Sequence, residues 1–350
     1  MNSAERLPVL DGLRAISILL VLAAHMLPLG PKLLQLNSTA GAMGMSLFFS
    51  LSGFLIATGL LHNADIPEFM IRRLARIVPL AYAFTFLVFG FLTFDPETIL
   101  LMVTFLLNYF PGHLISYNAH FWSLCVEVQF YLAIAIVVAV AGRKGVWIVW
   151  PACLAVTMLR VNEGVYVQLQ THLRVDEILA GACVATLYQK SWSGRALFPT
   201  GLVALATLLW FASSSPLTGW CQYLRPYGAA MLLAAVLCHG KTRLITFLTL
   251  RPMRYIATIS YALYVIHPLS TQGWWNEGSI FDRYILKRPI SFAMTFIAAH
   301  LSTFYWERPW QQAGRQWIEQ RRRRRLQSLG LTHGDKQLEE PAHNVDTYRT

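Results

Sequence analysis

Arg14 and His25 stand in "LDGLRAISILLVLAAHMLPLG", residues 10–30, a run otherwise apolar enough to enter a bilayer. Insertion scales put the cost of an arginine or aspartate near the centre of a membrane helix at about 2.5–3.5 kcal/mol, so ionisable groups in such runs are functional candidates. Eleven residues make three helical turns, which places the two side chains on one helix face, about 16 Å apart along the axis. A guanidinium is a fixed cation with a fork of donors suited to phosphate or carboxylate. A neutral imidazole accepts a proton near neutral pH. A second cationic group, Arg72, Arg73 and Arg76 in "EFMIRRLARIVP", lies within about one turn. It either fixes topology at a membrane surface or grips phosphate. Glu127, Arg174, Asp176, Glu177, His267 and Glu307 are the other ionisable groups within or beside apolar runs.

The elements that hold these groups are read from composition. With 55% hydrophobic and only 13% charged residues, the chain is an integral membrane protein rather than a soluble one. The fold expected is all-α, a polytopic transmembrane helical bundle with spans near 10–29, 42–61, 77–94, 122–141, 146–159, 165–188, 196–211, 223–239, 255–271 and 289–306. That makes about ten spans. The run 98–110 is too short for a full crossing at about 1.5 Å per residue and is expected to be re-entrant. The opening run carries Asp11 and Arg14 at its edge and leads by Gly/Pro turns into the next, so it reads as a retained first helix rather than a cleaved leader.

Basic residues set the orientation. If 98–110 does not cross, "RRLAR" (72–76), "GRK" (142–144), Lys190 with Arg195, "KTR" (241–243) with Arg251 and Arg254, and the tail share one side. "FDPE" (94–97), "SSSP" (213–216) and "WWNEG" (274–278) share the other. This is the positive-inside pattern, with both termini cytoplasmic. Residues 1–310 form the membrane domain, and 311–350, with five consecutive arginines at 321–325, form a basic, disordered cytoplasmic tail that reads either as a stop-transfer anchor or as a binder of anionic lipid head groups. The net charge of +11 is concentrated in these flanking clusters, and with no nucleic-acid motif present it points to membrane lipids rather than RNA or DNA. The five cysteines have no ligand or disulfide spacing, and no metal site is expected. The small residues Ser46, Ser50 and Gly53 share one face of the second helix and read as a close-packing stripe.

Taken in order, "LDGLRAISILLVLAAH", "MSLFFSLSGFLI", "FMIRRLARIVP", "HFWSLCVEVQFYL" (120–132), "RVDEILAG" (174–181), "ISYALYVIHPL" (259–269) and "WERP" (306–309) resemble the motifs of the acyltransferase 3 family. The similarity covers about residues 7–310 and fits the short type without a fused hydrolase-like domain. The family comprises membrane O-acyltransferases of surface polysaccharides, Nod factors, peptidoglycan and some antibiotics. The resemblance implies transfer of an acyl group, acetyl by default, from cytoplasmic acyl-CoA as co-substrate to a hydroxyl of a cell-surface or lipid-linked glycan, in a bacterial inner membrane. On that basis Arg14, Arg72, Arg73 and Arg76 are candidates for the coenzyme A phosphates. His25 is the candidate general base, with Glu127 orienting it or a second histidine. His120, Trp122, Arg174, Tyr261 and His267 are candidates for the acceptor cleft. Direct transfer is favoured over an acyl-enzyme, since Ser52, Ser123 and Cys125 sit in no recognisable nucleophile arrangement. A transporter or flippase of a glycan precursor is the alternative, because ten helices with internal charges also describe carriers.

Overall fold

The computed structural model describes residues 7–191, 200–238 and 242–328, and these are helical with no strand among them. Four helical stretches among the described residues are long and apolar enough to cross a membrane: Pro8–Met26, Lys32–His62, Ile66–Phe91 and Phe121–Asn162. Helix α1 is Pro8–Met26, α2 Leu36–His62 and α3 Ile66–Thr85, which runs on as a π-helical stretch, Phe86–Thr93. Helix α4, Pro96–Val103, has eight residues, about 12 Å of rise, so the 98–110 run indeed falls short of a crossing. Then follow α5 (Phe121–Ala141), α6 (Val149–Asn162), α7 (Asp176–Ser191), α8 (Thr200–Ser214), α9 (Arg225–Leu237), the short α10 (Arg243–Leu248), α11 (Arg251–Ile266), α12 (Arg288–Leu301) and α13 (Arg308–Ser328).

The sequence and the structure part in two places that matter for the site. Residues 165–175, expected to be helical, are irregular apart from one 3-10 turn, and α7 begins only at Asp176, whose carboxylate and that of Glu177 stand in its first turn. The span expected near 289–306 runs on past 306: a π-helical stretch, Ser302–Glu307, leads into α13, where Pro309 takes a first-turn position at which its missing N–H costs nothing. Four of the five consecutive arginines therefore share with Arg325 a place on α13, a helix packed on α3, not in an irregular tail. Residues 329–350, Arg195 and Lys241 lie outside the described residues.

α13 is held by charge. Arg321 donates two hydrogen bonds to the Asp65 carboxylate, at 2.6 and 2.8 Å, and Arg322 forks onto Glu68 at 2.7 and 3.0 Å. Burial nudges the Asp65 carboxyl upward, but the Arg321 hydrogen bond and the Glu68 N–H it caps hold it below its ordinary value, so it stays ionised into mildly acid solution.

The core of the bundle is α2, which packs most extensively on α7 and α1. The small-residue stripe of α2 is where α7 lies. A Cβ on Gly53 would meet the Ile178 carbonyl oxygen at 1.8 Å, and one on Gly181 would meet that of Ser50 at 1.9 Å. The two backbones touch, and neither can retreat without moving its whole helix. Gly181→Ala is therefore expected to destabilise the protein by about 1–3 kcal/mol or more, read as a lowered unfolding midpoint in detergent. Gly59→Ala, at a glycine with open space around it, is the control. An unchanged midpoint for Gly181→Ala would refute so close an approach.

Candidate functional site: an arginine cavity and a histidine cluster on one helix face

At one end of α1, Arg14 lines a narrow cavity with Ser52 of α2, Arg73 and Arg76 of α3, Glu127 and Tyr131 of α5 and Tyr261 of α11. Its guanidinium lies 4.0 Å from Asp11, one turn earlier. Arg73 lies over the Tyr131 ring at 5.6 Å and the Phe69 ring at 5.9 Å, a cation–π seat that leaves its N–H groups to the cavity. Three arginines thus converge from two helices. Arg72, expected with them, does not join: it is exposed and paired to Glu68 at 2.5 Å.

A second, smaller cavity continues along α1, lined by Arg14, Ser17, Ile18, Val21, Met45, Phe48, Ser260 and Tyr264. Arg14 and Phe48 line both. Beyond Val21 and Tyr264, whose carbonyl oxygens each meet an imidazole, three histidine rings gather. The ring centroids of His25 and His267 are 5.1 Å apart, and those of His267 and His120 are 5.6 Å apart. They come from the C-terminal turn of α1, the residue after α11 and the residue before α5. Pro268 stops α11 at this point by forcing a 3-10 turn, which leaves His267 at the junction.

The proton positions follow from the hydrogen bonds. His25 Nδ1 lies 2.8 Å from the Val21 carbonyl oxygen, and His267 Nδ1 lies 2.8 Å from that of Tyr264. A carbonyl oxygen only accepts, so each Nδ1 carries the proton in the neutral ring and each Nε2 carries a lone pair. His267 is 1% exposed and His25 is exposed, so only His25 can meet a bulky molecule from outside the bundle. His120 is buried, with neither ring nitrogen hydrogen-bonded. Tyr264 closes the floor of the cluster: its hydroxyl donates to the His120 carbonyl oxygen at 2.7 Å and lies 2.6 Å from Ser123 Oγ. Tyr264 was missed as a site residue, although its i, i+3 spacing to His267 puts both on one face.

Two expected roles change. Glu127 orients no histidine here. Its Oε1 accepts hydrogen bonds from Ser52 and, at 2.6 Å, from Tyr131, and it lines the arginine cavity rather than the histidine cluster. Main-chain carbonyls hold the imidazoles instead. Tyr261, expected in the acceptor cleft, also lines the arginine cavity, with its hydroxyl donated to the Ile77 carbonyl oxygen at 2.6 Å.

Trp122 and Arg174 do come together, the guanidinium 5.1 Å from the indole centre, beside His120 in chain order. Arg174 belongs to a buried charge network whose other cations were not recognised in the sequence. Arg160 of α6 pairs with Asp176 at 2.5 Å, Arg225 of α9 pairs with Glu177 at 2.6 Å, and Arg174 lies 3.4 Å from Glu177. Arg160 and Arg225 escaped notice because each sits at the end of an apolar run, where an arginine ordinarily marks the water interface.

An apolar helical bundle with four stretches long and apolar enough to cross a membrane, carrying buried cations and imidazoles, defines an integral membrane protein. Residues 7–305 match the family model described as an acyltransferase domain, and the chain belongs to that family, acyltransferase 3. It is 27% identical over 362 residues to YrhL of Bacillus subtilis, named as a candidate peptidoglycan O-acetyltransferase, covering 88% of this chain and 55% of that protein. It is 24% identical over 369 residues to the O-acetyltransferase OatA of Staphylococcus aureus, covering 90% and 58%. It is 25% identical over 377 residues to the peptidoglycan O-acetyltransferase OatA of Listeria monocytogenes, covering 89% and 57%. The chain thus spans a little over half the length of these relatives. No solved structure matches it.

Proposed function

We propose that this protein transfers an acetyl group from cytoplasmic acetyl-CoA to a hydroxyl of a cell-surface or lipid-linked glycan, with His25 as general base. The observation that carries the reading is the placement of Arg14 and His25 on α1, Arg14 lining the cavity of Arg73 and Arg76 and a second small one that reaches Val21, whose carbonyl holds the His25 ring beside His267. Phosphates of the donor bind at the arginine end, and the slim thioester arm lies along α1 toward His25. Both cavities are narrow, so donor entry requires the part-buried side chains of Arg73 and Arg76 to swing aside.

At the other end, His25 Nε2 takes the proton of the acceptor hydroxyl as its oxygen attacks the thioester carbonyl. The tetrahedral intermediate then expels the coenzyme A thiolate, which recovers the proton from the imidazolium. The names of the relatives support a glycan acceptor. In this reading the chain crosses a bacterial inner membrane ten times with both ends inside, the face bearing Arg72, Arg143 and Arg321 toward the cytoplasm and the histidines toward the outside, in line with the distribution of basic residues.

The test is an assay of the purified protein with acetyl-labelled acetyl-CoA and glycan acceptors. Label bound covalently to sugar is the expected result. Movement of unmodified glycan across a vesicle membrane without label transfer would favour a transporter.

A further inference from the structure

A cavity of about 330 Å³ lies away from the Arg14 cavity, where the α2–α3 turn, the turn after α5 and helix α13 meet. Its charged lining is Asp65, Glu68, Arg143, Arg321, Arg322 and Arg325. Four guanidinium groups face two carboxylates, a surplus of two positive charges (4 − 2 = 2). The acids lie beneath and hold the arginines in place: Arg321 on Asp65 at 2.6 Å, Arg322 on Glu68 at 2.7 Å, with Arg325 3.8 Å from Asp65. Arg143, Arg322 and Arg325 are exposed, so their remaining N–H groups are free to meet a ligand. A guanidinium stays charged at any physiological pH, and its planar fork matches phosphate oxygens. The volume falls within the range of small-molecule pockets.

We propose that this cavity is a phosphate-binding site, for a ligand whose phosphate brings negative charge to offset the positive surplus of its wall. Two sources carry that chemistry: the 3′-phosphate on the nucleotide end of an acyl-CoA, or the headgroup of an anionic lipid. Helix α3 joins this cavity to the Arg14 cavity, since Glu68 and Arg76 are eight residues, about 12 Å, apart along one axis. A ligand seated here by its phosphate can therefore extend toward Arg14. The first source rests on the donor reading above, and the second does not.

The test uses the full chain in detergent, with acetyl-CoA, 3′-dephospho-acetyl-CoA and short-chain phosphatidylglycerol as probes in equilibrium binding. Arg143→Gln combined with Arg325→Gln removes two exposed cations. Arg323→Gln, at an arginine paired with Glu319 on the exposed face of α13, is the charge control, and unfolding midpoints check folding. Acetyl-CoA binding about tenfold tighter than its dephospho form, with that preference lost in the double variant alone, supports the proposal with the donor as source. An about tenfold loss of phosphatidylglycerol binding in the double variant supports it with lipid as source, and if acetyl-CoA then fails to bind the wild type, the donor reading falls while the site stands. A double variant that binds every probe as the wild type does overturns the proposal, and acetyl-CoA bound equally by both proteins would leave the donor reading intact.

Discussion

His25→Ala is expected to lower kcat by about 10²–10⁴-fold, the usual worth of a positioned general base, while leaving the donor KM near its wild-type value. The separation of effects follows from the geometry. Donor phosphates are assigned to Arg14, Arg73 and Arg76, three turns of α1 away from the imidazole, so truncating His25 leaves that end intact. His267 does not substitute for it, because a ring 1% exposed cannot reach an acceptor hydroxyl. His267→Ala removes instead the ring that packs at 5.1 Å against His25 and is expected to cost less. The decisive controls are Ser52→Ala, Ser123→Ala and Cys125→Ala. Ser52 is engaged with Glu127, Ser123 with Tyr264, and Cys125 is fully buried. If His25→Ala kept transfer while one of these three abolished it, a covalent acyl-enzyme would replace direct transfer.

What the sequence made legible was what one helix carries by itself. The spacing of Arg14 and His25 places them on one face whatever surrounds the helix, and in the structure Arg14 lines two small cavities, the second of which extends along α1 as far as Val21. The stripe Ser46, Ser50, Gly53 likewise announced a close neighbour on α2, though not that the neighbour would be α7. What remained hidden was partnership between helices. His120 precedes α5 and Glu127 lies seven residues on, within it, and which helix faces each depends on how α2 and α11 pack, information that spacing along α5 does not hold. The same holds for Arg72, Arg73 and Arg76. They share one turn, yet Arg72 pairs back along α3 to Glu68, a carboxylate it shares with Arg322 of α13, while Arg73 and Arg76 line the cavity. That the five arginines continue a helix was hidden for a local reason, because the π-helical stretch before Pro309 is invisible to a reading based on a 3.6-residue period.

Asp176→Ala is expected to cost about 3–5 kcal/mol of stability, the largest structural effect of any substitution considered, because it strands the guanidinium of Arg160. Arg160 is 1% exposed and Asp176 fully buried, and their 2.5 Å contact is supplemented by the Tyr166 carbonyl oxygen, which accepts from Arg160 at 2.6 Å and from Arg225 at 3.4 Å. Around the start of α7, three buried arginines, Arg160, Arg174 and Arg225, face two buried carboxylates, so the network already holds one cation more than it has acids. Removing Asp176 raises that excess to two among side chains that are all buried. Arg160→Met with Asp176→Leu removes cation and acid together and restores the original balance, so its unfolding midpoint is expected to lie near that of the wild type. The double variant also separates stability from function. Arg174 remains over Trp122 in both proteins, so a double variant that folds well and keeps transfer would mark the Arg160–Asp176 pair as scaffold, whereas one that folds well and loses transfer would show that the pair sets the position of Arg174 beside His120. A single Asp176→Ala variant as stable as the wild type would mean that water reaches Arg160, and the network would not be a closed, buried cluster.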